Sequence, residues 1–254
     1  MTPTIQSTDA RRRELAANLA QVRQRIAVAC AAAGRPVDEV SLIAITKTFP
    51  ASDVVLLAEL GVTDVGENRD QEAATKVADV ATLYSNAGYP NASDLRWHFV
   101  GALQTNKCPS VVRYASLIHS VDRLRLVEAL GRAAQHAAEQ HRVVRCLVQV
   151  DLDETNRPGR AGARQEEVGA IADAIAGDSH LELAGVMAVA PLDADTASAF
   201  RKLAAVADSV RQRHPAARVI SAGMSGDLEQ AVANGATHLR VGSALLGTRR
   251  HPVR

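Results

Sequence analysis

Lys47 is the residue in this chain best placed to act as a nucleophile. It closes an apolar run, 41–47 (SLIAITK), and is followed by Thr48, Phe49 and Pro50. A lysine at the end of a buried strand lies partly out of water, and partial burial lowers the pKa of an amine because the charged form loses solvation. An amine with a lowered pKa can attack an aldehyde. The alternative is that Lys47 is a solvated cap at a strand end.

Two glycine-containing turns near the end of the chain are candidates for holding a phosphate group. The segments 221–227 (SAGMSGD) and 240–247 (RVGSALLG) each follow an apolar run and enter a helical pattern, with Ser225 and Ser243 at the entry. Glycine lets the backbone approach an anion, and free N–H groups at the start of a helix favour phosphate. The alternative is that both serines only cap their helices.

Arg240 is the candidate partner for a ring nitrogen or a carboxylate. It lies two residues before Gly242, so the two residues point to the same side of a strand. The alternative is an arginine in a surface ion pair. Asn68 follows another strand and is a candidate helix N-cap. His98 lies on an alternating strand and is interpreted as a core histidine rather than a catalyst.

Apolar runs alternate with helical patterns along the whole chain. We predict strands over 41–47, 62–66, 96–100, 116–120, 144–151, 183–189, 218–221 and 238–242. We predict helices over 9–34, 51–60, 68–82, 123–141, 163–177, 194–213 and 226–234, and a loop over 84–94. Eight strands alternating with helices favour a single (β/α)8 TIM-type barrel with an extra N-terminal helix. In such a barrel the active site lies at the C-terminal ends of the strands.

Composition and charge exclude several classes of protein. The 254 residues are 47% hydrophobic but only 3% aromatic, and the net charge is +1. This charge gives no reason to expect a nucleic-acid or anionic-membrane partner. We find neither a membrane span nor a signal peptide, and the three scattered cysteines show no disulfide or zinc spacing. We therefore expect a cytoplasmic protein with one domain over residues 1–254, a flexible tail over 1–8, and no metal.

The motifs together resemble the YggS/PROSC family of pyridoxal-phosphate homeostasis proteins. The resemblance covers roughly residues 11–249 and departs at Ala102, where histidine is usual, and at Ser243, where threonine is common. It depends on five segments: ITKTFP around Lys47; Gly66-Glu67-Asn68; Trp97-His98-Phe99-Val100-Gly101 with Leu103-Gln104 and Asn106-Lys107; Gly223-Met224-Ser225 with Asp227; and Arg240-Val241-Gly242-Ser243 ending at Gly247.

The resemblance implies a barrel related to the N-terminal domain of alanine racemase, with pyridoxal 5′-phosphate as its cofactor. It implies that Lys47 holds the cofactor as an internal aldimine and that Arg240 faces the pyridine nitrogen. The other implied cofactor residues are Ser225, Gly242 and Ser243 around the phosphate, and Asn68 and Met224 along the cofactor.

The arginine favours a binding protein over an enzyme. A guanidinium stays charged and disfavours protonation of the pyridine, which weakens the ring as an electron sink. Racemases with this arrangement compensate with a tyrosine base, whereas Tyr84, Tyr89 and Tyr114 end no predicted strand. We therefore expect intracellular storage, buffering or delivery of pyridoxal phosphate with little or no turnover.

Two alternatives to this function remain open. They are a pyridoxal-phosphate-dependent amino-acid racemase and a barrel that binds another phosphorylated metabolite. Apo enzymes that need the cofactor are candidate partners, and a monomer is expected.

Overall fold

Eight parallel strands close into one barrel in the computed structural model, which describes residues 5–87, 95–137, 143–153, 161–191 and 195–247. Each strand pairs with the next along the chain, and the last pairs with the first. The predicted TIM-type barrel is therefore confirmed. The strands are β1 Ser41–Ile45, β2 Asp64–Glu67, β3 Arg96–Phe99, β4 Ala115–Val121, β5 Val144–Gln149, β6 Leu181–Met187, β7 Val219–Ser221 and β8 His238–Val241.

Helices follow the strands around the outside of the barrel, and one additional helix precedes β1. The helices are α1 Ile5–Ala32, α2 Ala51–Glu59, α3 Asp70–Ala87, α4 Cys108–Tyr114, α5 Leu124–His136, α6 Gln165–Gly177, α7 Thr196–Arg213, α8 Leu228–Ala233 and α9 Ser243–Leu246. The extra N-terminal helix α1 was predicted. Within the described ranges, no helix combines the length and the apolar character needed to cross a bilayer.

The structure differs from the predicted elements in three places. Residues 5–8, which we expected in a flexible tail, form the first turn of α1. The short helix α4 was not predicted. Residues 84–87 of the predicted loop are helical, because Tyr84 is buried in the core and extends α3 by a turn. The rest of that predicted loop, 88–94, lies outside the described residues.

The barrel interior is polar on one side. The large apolar core lies between the strands and the surrounding helices, and a small apolar cluster of Leu117, Leu147, Ala184 and Met187 lies inside the barrel. The interior of such barrels is usually filled by branched aliphatic side chains. Here five buried polar side chains share a hydrogen-bonded path across the strands: Asp64, His98, His119, Ser221 and Arg240. Buried polar groups need hydrogen-bond partners, so this side of the barrel depends on their mutual geometry.

Gly185 allows β6 and β7 to lie close together. Its φ is +150°, and a Cβ atom there would lie 1.9 Å from the carbonyl oxygen of Val219. We expect Gly185→Ala to lower the free energy of unfolding by about 2–5 kcal/mol, through backbone strain and overpacking. Gly177 at the end of α6 is the matched control, because a Cβ atom there would have no neighbour within 4 Å. Urea unfolding should show Gly177→Ala as neutral or slightly stabilising; equal effects of the two substitutions would contradict this account.

Candidate functional site

A cavity of about 770 Å³ opens where the strands end, and all seven predicted site residues line it. Sequence analysis did not predict several further lining residues, among them Phe49, Val100, Met187, Val189 and Gly226. A groove of about 860 Å³ lies on the outer surface against α4 and α5, but it contains none of the predicted residues. The strand-end cavity is therefore the candidate site. The predicted residues that line it are Lys47, Asn68, Met224, Ser225, Arg240, Gly242 and Ser243.

Lys47 brings an unpaired amine to this cavity. Its side chain is half-buried, and its ammonium has no hydrogen-bond or ion-pair partner among the described residues. Lys76, a second lysine near this strand end, is different. Its Nζ donates to the carbonyl oxygen of Thr46 at 2.8 Å and to Glu67 Oε1 at 2.6 Å, and it also contacts Glu72 at 3.1 Å. Of these two lysines, only Lys47 is free to react with a ligand.

A strained turn directly after Lys47 fixes its position. Thr48 has a φ of +69°, which is unfavourable for a β-branched residue. The turn is held by the Thr48 N–H, which donates to Glu72 on α3, and by the Phe49 N–H, which donates to the Thr46 carbonyl at 3.0 Å. Backbone strain of this kind persists where the surroundings hold it in place, and it often marks a functional site.

A buried carboxylate supports this turn from the side of α3. Glu67 is fully buried, and its Oε1 accepts hydrogen bonds from Lys76 and from the Thr46 hydroxyl at 2.7 Å. Burial raises the pKa of Glu67, although Lys76 and Thr46 act in the opposite direction. The positive charge of Lys76 is therefore paired with the carboxylates of this cluster between β2 and α3.

The two glycine turns meet through Ser225. Its Oγ accepts a hydrogen bond from the N–H of Ala244 at 3.2 Å, which joins the turn after β7 to the start of α9. Neither serine occupies an N-cap position, since Asp227 precedes α8 and Gly242 precedes α9. The backbone N–H groups of Ser225, Gly226 and Ser243 have no acceptor within the described part of the chain. Both turns line the cavity, so these free donors suit an anion.

Helix α1 holds the same two turns from outside. Three of its side chains donate to carbonyl oxygens there: Arg25 to Ser225 at 2.9 Å, Asn18 to Leu245 at 3.0 Å, and Arg11 to Leu246 at 3.0 Å. Arg25 also pairs with Glu229 on α8. The extra helix is therefore part of the framework of the site.

Arg240 is a buried cation at the floor of the cavity. It is 5% exposed, and its two Nη atoms donate to the carbonyl and hydroxyl oxygens of Ser221 and to the carbonyl of Ala188, at 2.7–2.8 Å. Burial lowers its pKa to about 10, so it remains charged at neutral pH. The alternative of a surface ion pair is therefore wrong. Its Nε–H and one Nη2–H have no acceptor among the described residues, which leaves donors for a ligand.

Asn68 lies against the cavity because Gly101 lacks a side chain. A Cβ atom at Gly101 would lie 2.0 Å from the carbonyl oxygen of Asn68. Asn68 is not a helix N-cap, the role for which the sequence made it a candidate, since α3 begins two residues later at Asp70.

Met224 also lines the cavity, and its backbone is held in place from one side. Its N–H donates a hydrogen bond to Asp227 Oδ1 at 2.5 Å.

Sequence analysis missed the hydrogen-bond path behind Arg240. Arg240 bonds to Ser221, which bonds to His119; His119 bonds to His98, which bonds to Asp64. His98 is a buried core histidine, as expected. The signal that could have found the path is the occurrence of polar residues at inward positions on five strands of an otherwise apolar barrel.

Metal and disulfide chemistry find no support in the described residues. Cys30, Cys108 and Cys146 are all buried and unpaired. No group of three or more His, Cys, Asp or Glu side chains there could hold a metal ion.

Known proteins share both this sequence and this geometry. Residues 15–250 match the family described as alanine racemase, N-terminal domain. The pyridoxal phosphate homeostasis protein of Mycobacterium tuberculosis is 45% identical over 244 residues, covering 94% of this chain and 95% of that protein. The chain belongs to the pyridoxal phosphate homeostasis proteins of the alanine racemase N-terminal domain family.

Solved structures agree with this family assignment. PipY of Synechococcus elongatus PCC7942, solved with pyridoxal phosphate bound, is 32% identical, with a TM-score of 0.76 over 92% of this chain and 100% of that chain. Alanine racemase from Corynebacterium glutamicum is 15% identical, with a TM-score of 0.61 over 92% of this chain and 60% of that chain. At that identity the racemase shows the shared barrel alone.

Two histidines, the buried His119 and the half-buried His238, should make the stability of this family member depend on pH. Burial lowers the pKa of His119 well below its usual value and that of His238 to about 4. The unfolded chain therefore binds more protons than the folded protein below about pH 6.5, so stability is lost as the pH falls. Each histidine contributes up to about 1.4 kcal/mol per pH unit.

The variant His238→Asn isolates one of these contributions. Between pH 8 and pH 5 it should lose about 2 kcal/mol less unfolding free energy than the unmodified protein. The histidine of the unfolded chain takes up its proton only below its usual pKa of about 6.5, so the difference builds up over the last 1.5 pH units or so. Urea titrations at both pH values give the comparison. Equal losses in the two proteins would show that His238 is not held neutral by burial.

Proposed function

We propose that this protein binds pyridoxal 5′-phosphate in the strand-end cavity and serves in the intracellular homeostasis of that cofactor, by storage, buffering or delivery. The observation that carries the proposal is that one cavity brings together an amine, a set of backbone N–H groups and a charged guanidinium, and that each of them has donors without an acceptor among the described residues. The cofactor supplies an aldehyde, a phosphate group and a pyridine nitrogen, and each has one matching partner here. The homeostasis relatives and the cofactor-bound PipY support the same cofactor.

Lys47 is the proposed amine for the aldehyde. Bond formation would release water and requires the neutral amine, which a lysine reaches by losing one proton to solvent. Lys47 can do this because it has no partner among the described residues. Lys76 would first have to break its ion pair with the buried carboxylate of Glu67. The strained turn at Thr48 keeps the Lys47 side chain at the cavity instead of in solvent.

The proposed phosphate anchor is formed by Ser225, Gly226, Gly242 and Ser243. Ser225 uses its oxygen to accept from Ala244, which leaves its hydroxyl hydrogen available to donate to an anion. The glycines keep the two turns narrow, so that backbone N–H groups can approach a phosphate oxygen. Asn68 and Met224 would lie along the cofactor between this anchor and Lys47.

Arg240 is the proposed partner of the pyridine nitrogen. A guanidinium that stays charged disfavours a proton on the ring, and this limits the chemistry available to the bound cofactor. Of the tyrosines, Tyr84 and Tyr114 do not line the cavity, and Tyr89 lies outside the described residues. Burial raises the pKa of Tyr114, and so does the nearby carboxylate of Asp70, which makes it a poor base. These features favour a carrier over a racemase, in agreement with the names of the relatives.

The same proposal covers the ligands, the partners and the setting of the protein. The seven predicted residues that line the cavity are the proposed cofactor ligands, and apo enzymes that need pyridoxal phosphate are the proposed recipients. We also propose that the protein works in the cytoplasm as a monomer with one domain. Amino-acid racemisation assays distinguish the carrier from the racemase, because a carrier should show almost no turnover with the cofactor bound.

Replacing Lys47 tests the covalent link. After incubation with pyridoxal phosphate and borohydride, the unmodified protein should carry the reduced adduct on the peptide that contains Lys47. Lys47→Ala should bind the cofactor without being labelled, whereas Lys202→Ala, on the outer helix α7, should label normally. Peptide mass spectrometry locates the adduct; finding it on another lysine would overturn the assignment.

The phosphate anchor is tested by comparing two ligands. A hydrogen bond to a charged group contributes about 1.5–3 kcal/mol, so Ser225→Ala or Ser243→Ala should weaken pyridoxal phosphate binding by about tenfold or more. Both should bind unphosphorylated pyridoxal nearly as well as the unmodified protein does. Ser209→Ala, exposed on α7, is the control and should leave both affinities unchanged. Equal losses for the two ligands would rule out a phosphate role.

A further inference from the structure

A continuous chain of hydrogen bonds runs through the barrel from the cavity to the opposite end. Arg240 Nη1 lies 2.7 Å from Ser221 Oγ, which lies 2.9 Å from His119 Nδ1. His119 Nε2 lies 2.9 Å from His98 Nδ1, and His98 Nε2 lies 2.8 Å from Asp64 Oδ1. The five side chains come from β8, β7, β4, β3 and β2, and each is at most 5% exposed. The chain therefore links a cation at the cavity to an anion at the first residue of β2.

The two ends of this chain allow one direction of donation. A guanidinium only donates and a carboxylate only accepts. If the Ser221 hydroxyl donates to His119, then His119 donates through Nε2 to His98, and His98 donates through Nε2 to Asp64. Every hydrogen then has an acceptor. Both histidines are neutral in this arrangement and carry their proton on Nε2.

The opposite direction is unfavourable for two reasons. His98 would have to carry protons on both ring nitrogens, since Nε2 must still donate to Asp64. His98 would then be a cation beside the buried ring of His119. The Ser221 hydroxyl would then accept from both Arg240 and His119, and its own hydrogen would be buried without an acceptor among the described residues. Leaving a buried donor unsatisfied is disfavoured.

One guanidinium, one carboxylate and two further imidazole rings surround His98. Arg96 lies on the far side of Asp64, to which it donates from Nε at 2.7 Å. The rings of His119 and His238 approach His98 with centroid distances of 5.1 and 6.3 Å. Asp64 is the single carboxylate in this group and is already shared between His98 and Arg96.

We infer that this chain positions Arg240 for the pyridine nitrogen, with His98 and His119 as positioning residues locked in the Nε2–H form. The inference depends on the proposed cofactor site. When Ser221 donates its hydrogen to His119, its lone pairs are directed at Arg240. The tautomer of a histidine that does not line the cavity therefore helps to fix the plane of the guanidinium. Arg240 then keeps its remaining donors toward the cavity.

The first experiment needs no cofactor. Nitrogen-15 NMR of the histidine-labelled protein reports which ring nitrogen carries the proton. We expect both His98 and His119 as Nε2–H, with assignments taken from the signal lost in His119→Leu. A proton on Nδ1 of either histidine would overturn the inference while leaving the proposed function intact.

The second experiment reads the ring of the bound cofactor. Nitrogen-15-labelled pyridoxal phosphate is bound to the protein, and the ring nitrogen is followed as the pH changes. In His119→Leu, Ser221 loses its acceptor and Arg240 can retreat. By Coulomb's law at an effective dielectric constant of about 20, a retreat of about 1.5 Å should raise the pH of ring protonation by about one unit, which is tenfold in proton affinity.

Two further variants make the outcome decisive. His238→Asn changes a half-buried histidine that is outside the chain of hydrogen bonds, so it should leave the ring titration unchanged. Asp64→Asn removes the negative charge at the end of the chain of hydrogen bonds while keeping the shape of the side chain. It should shift the ring titration in the same direction as His119→Leu, by a smaller amount. This variant replaces His119→Leu if that protein does not fold. An unchanged titration in the chain variants, or an equal shift in His238→Asn, would overturn the positioning role. Failure of the unmodified protein to bind the cofactor would instead count against the proposed function.

Discussion

A guanidinium buried inside the barrel, with no carboxylate among the described residues bonded to it, is the constraint that organises this site. Burying a charge is costly unless hydrogen bonds compensate it. Arg240 receives that compensation from the backbone oxygens of Ala188 and Ser221 and from the Ser221 hydroxyl. The strand ends of β6 and β7 must therefore lie where their carbonyl groups reach a β8 side chain. Gly185, which lets β6 and β7 approach closely, contributes to that placement.

The same constraint explains why half of the barrel interior is polar. An aliphatic interior would leave Arg240 and Ser221 without satisfied neighbours, whereas the histidine pair extends the hydrogen bonding across the barrel to Asp64. Burial alone would raise the pKa of Asp64, but hydrogen bonds from His98 and Arg96 hold it well below its usual value. The path thus has a guanidinium at the cavity and a carboxylate at the other end, joined by Ser221 and two histidines. The apolar side, with Leu147 and Met187, fills the remaining volume.

Much of the barrel could be predicted from sequence, because its strands are short apolar runs and each observed strand begins and ends within two residues of its predicted limits. Lys47 and the two glycine turns could be found because position at a strand end is a local property. The exceptions have tertiary causes: burial of Tyr84 overrides a loop-like composition, and the partners His119 and Ser221 are 102 residues apart. No local spacing signals such a pair, so the path behind Arg240 becomes visible only in three dimensions.

The contacts of α1 have a consequence for when the site can exist during folding. Arg11 and Asn18 reach carbonyl groups that are 235 and 227 residues away along the chain, and Arg25 reaches one 200 residues away. Contacts of such high sequence separation form late, because closing a long loop costs chain entropy before any interaction compensates it. The two turns should reach their final shape only after the first and last helices have met. Capture of the ligand would then be a property of the finished barrel, and partly folded chains would leave the cofactor free in solution.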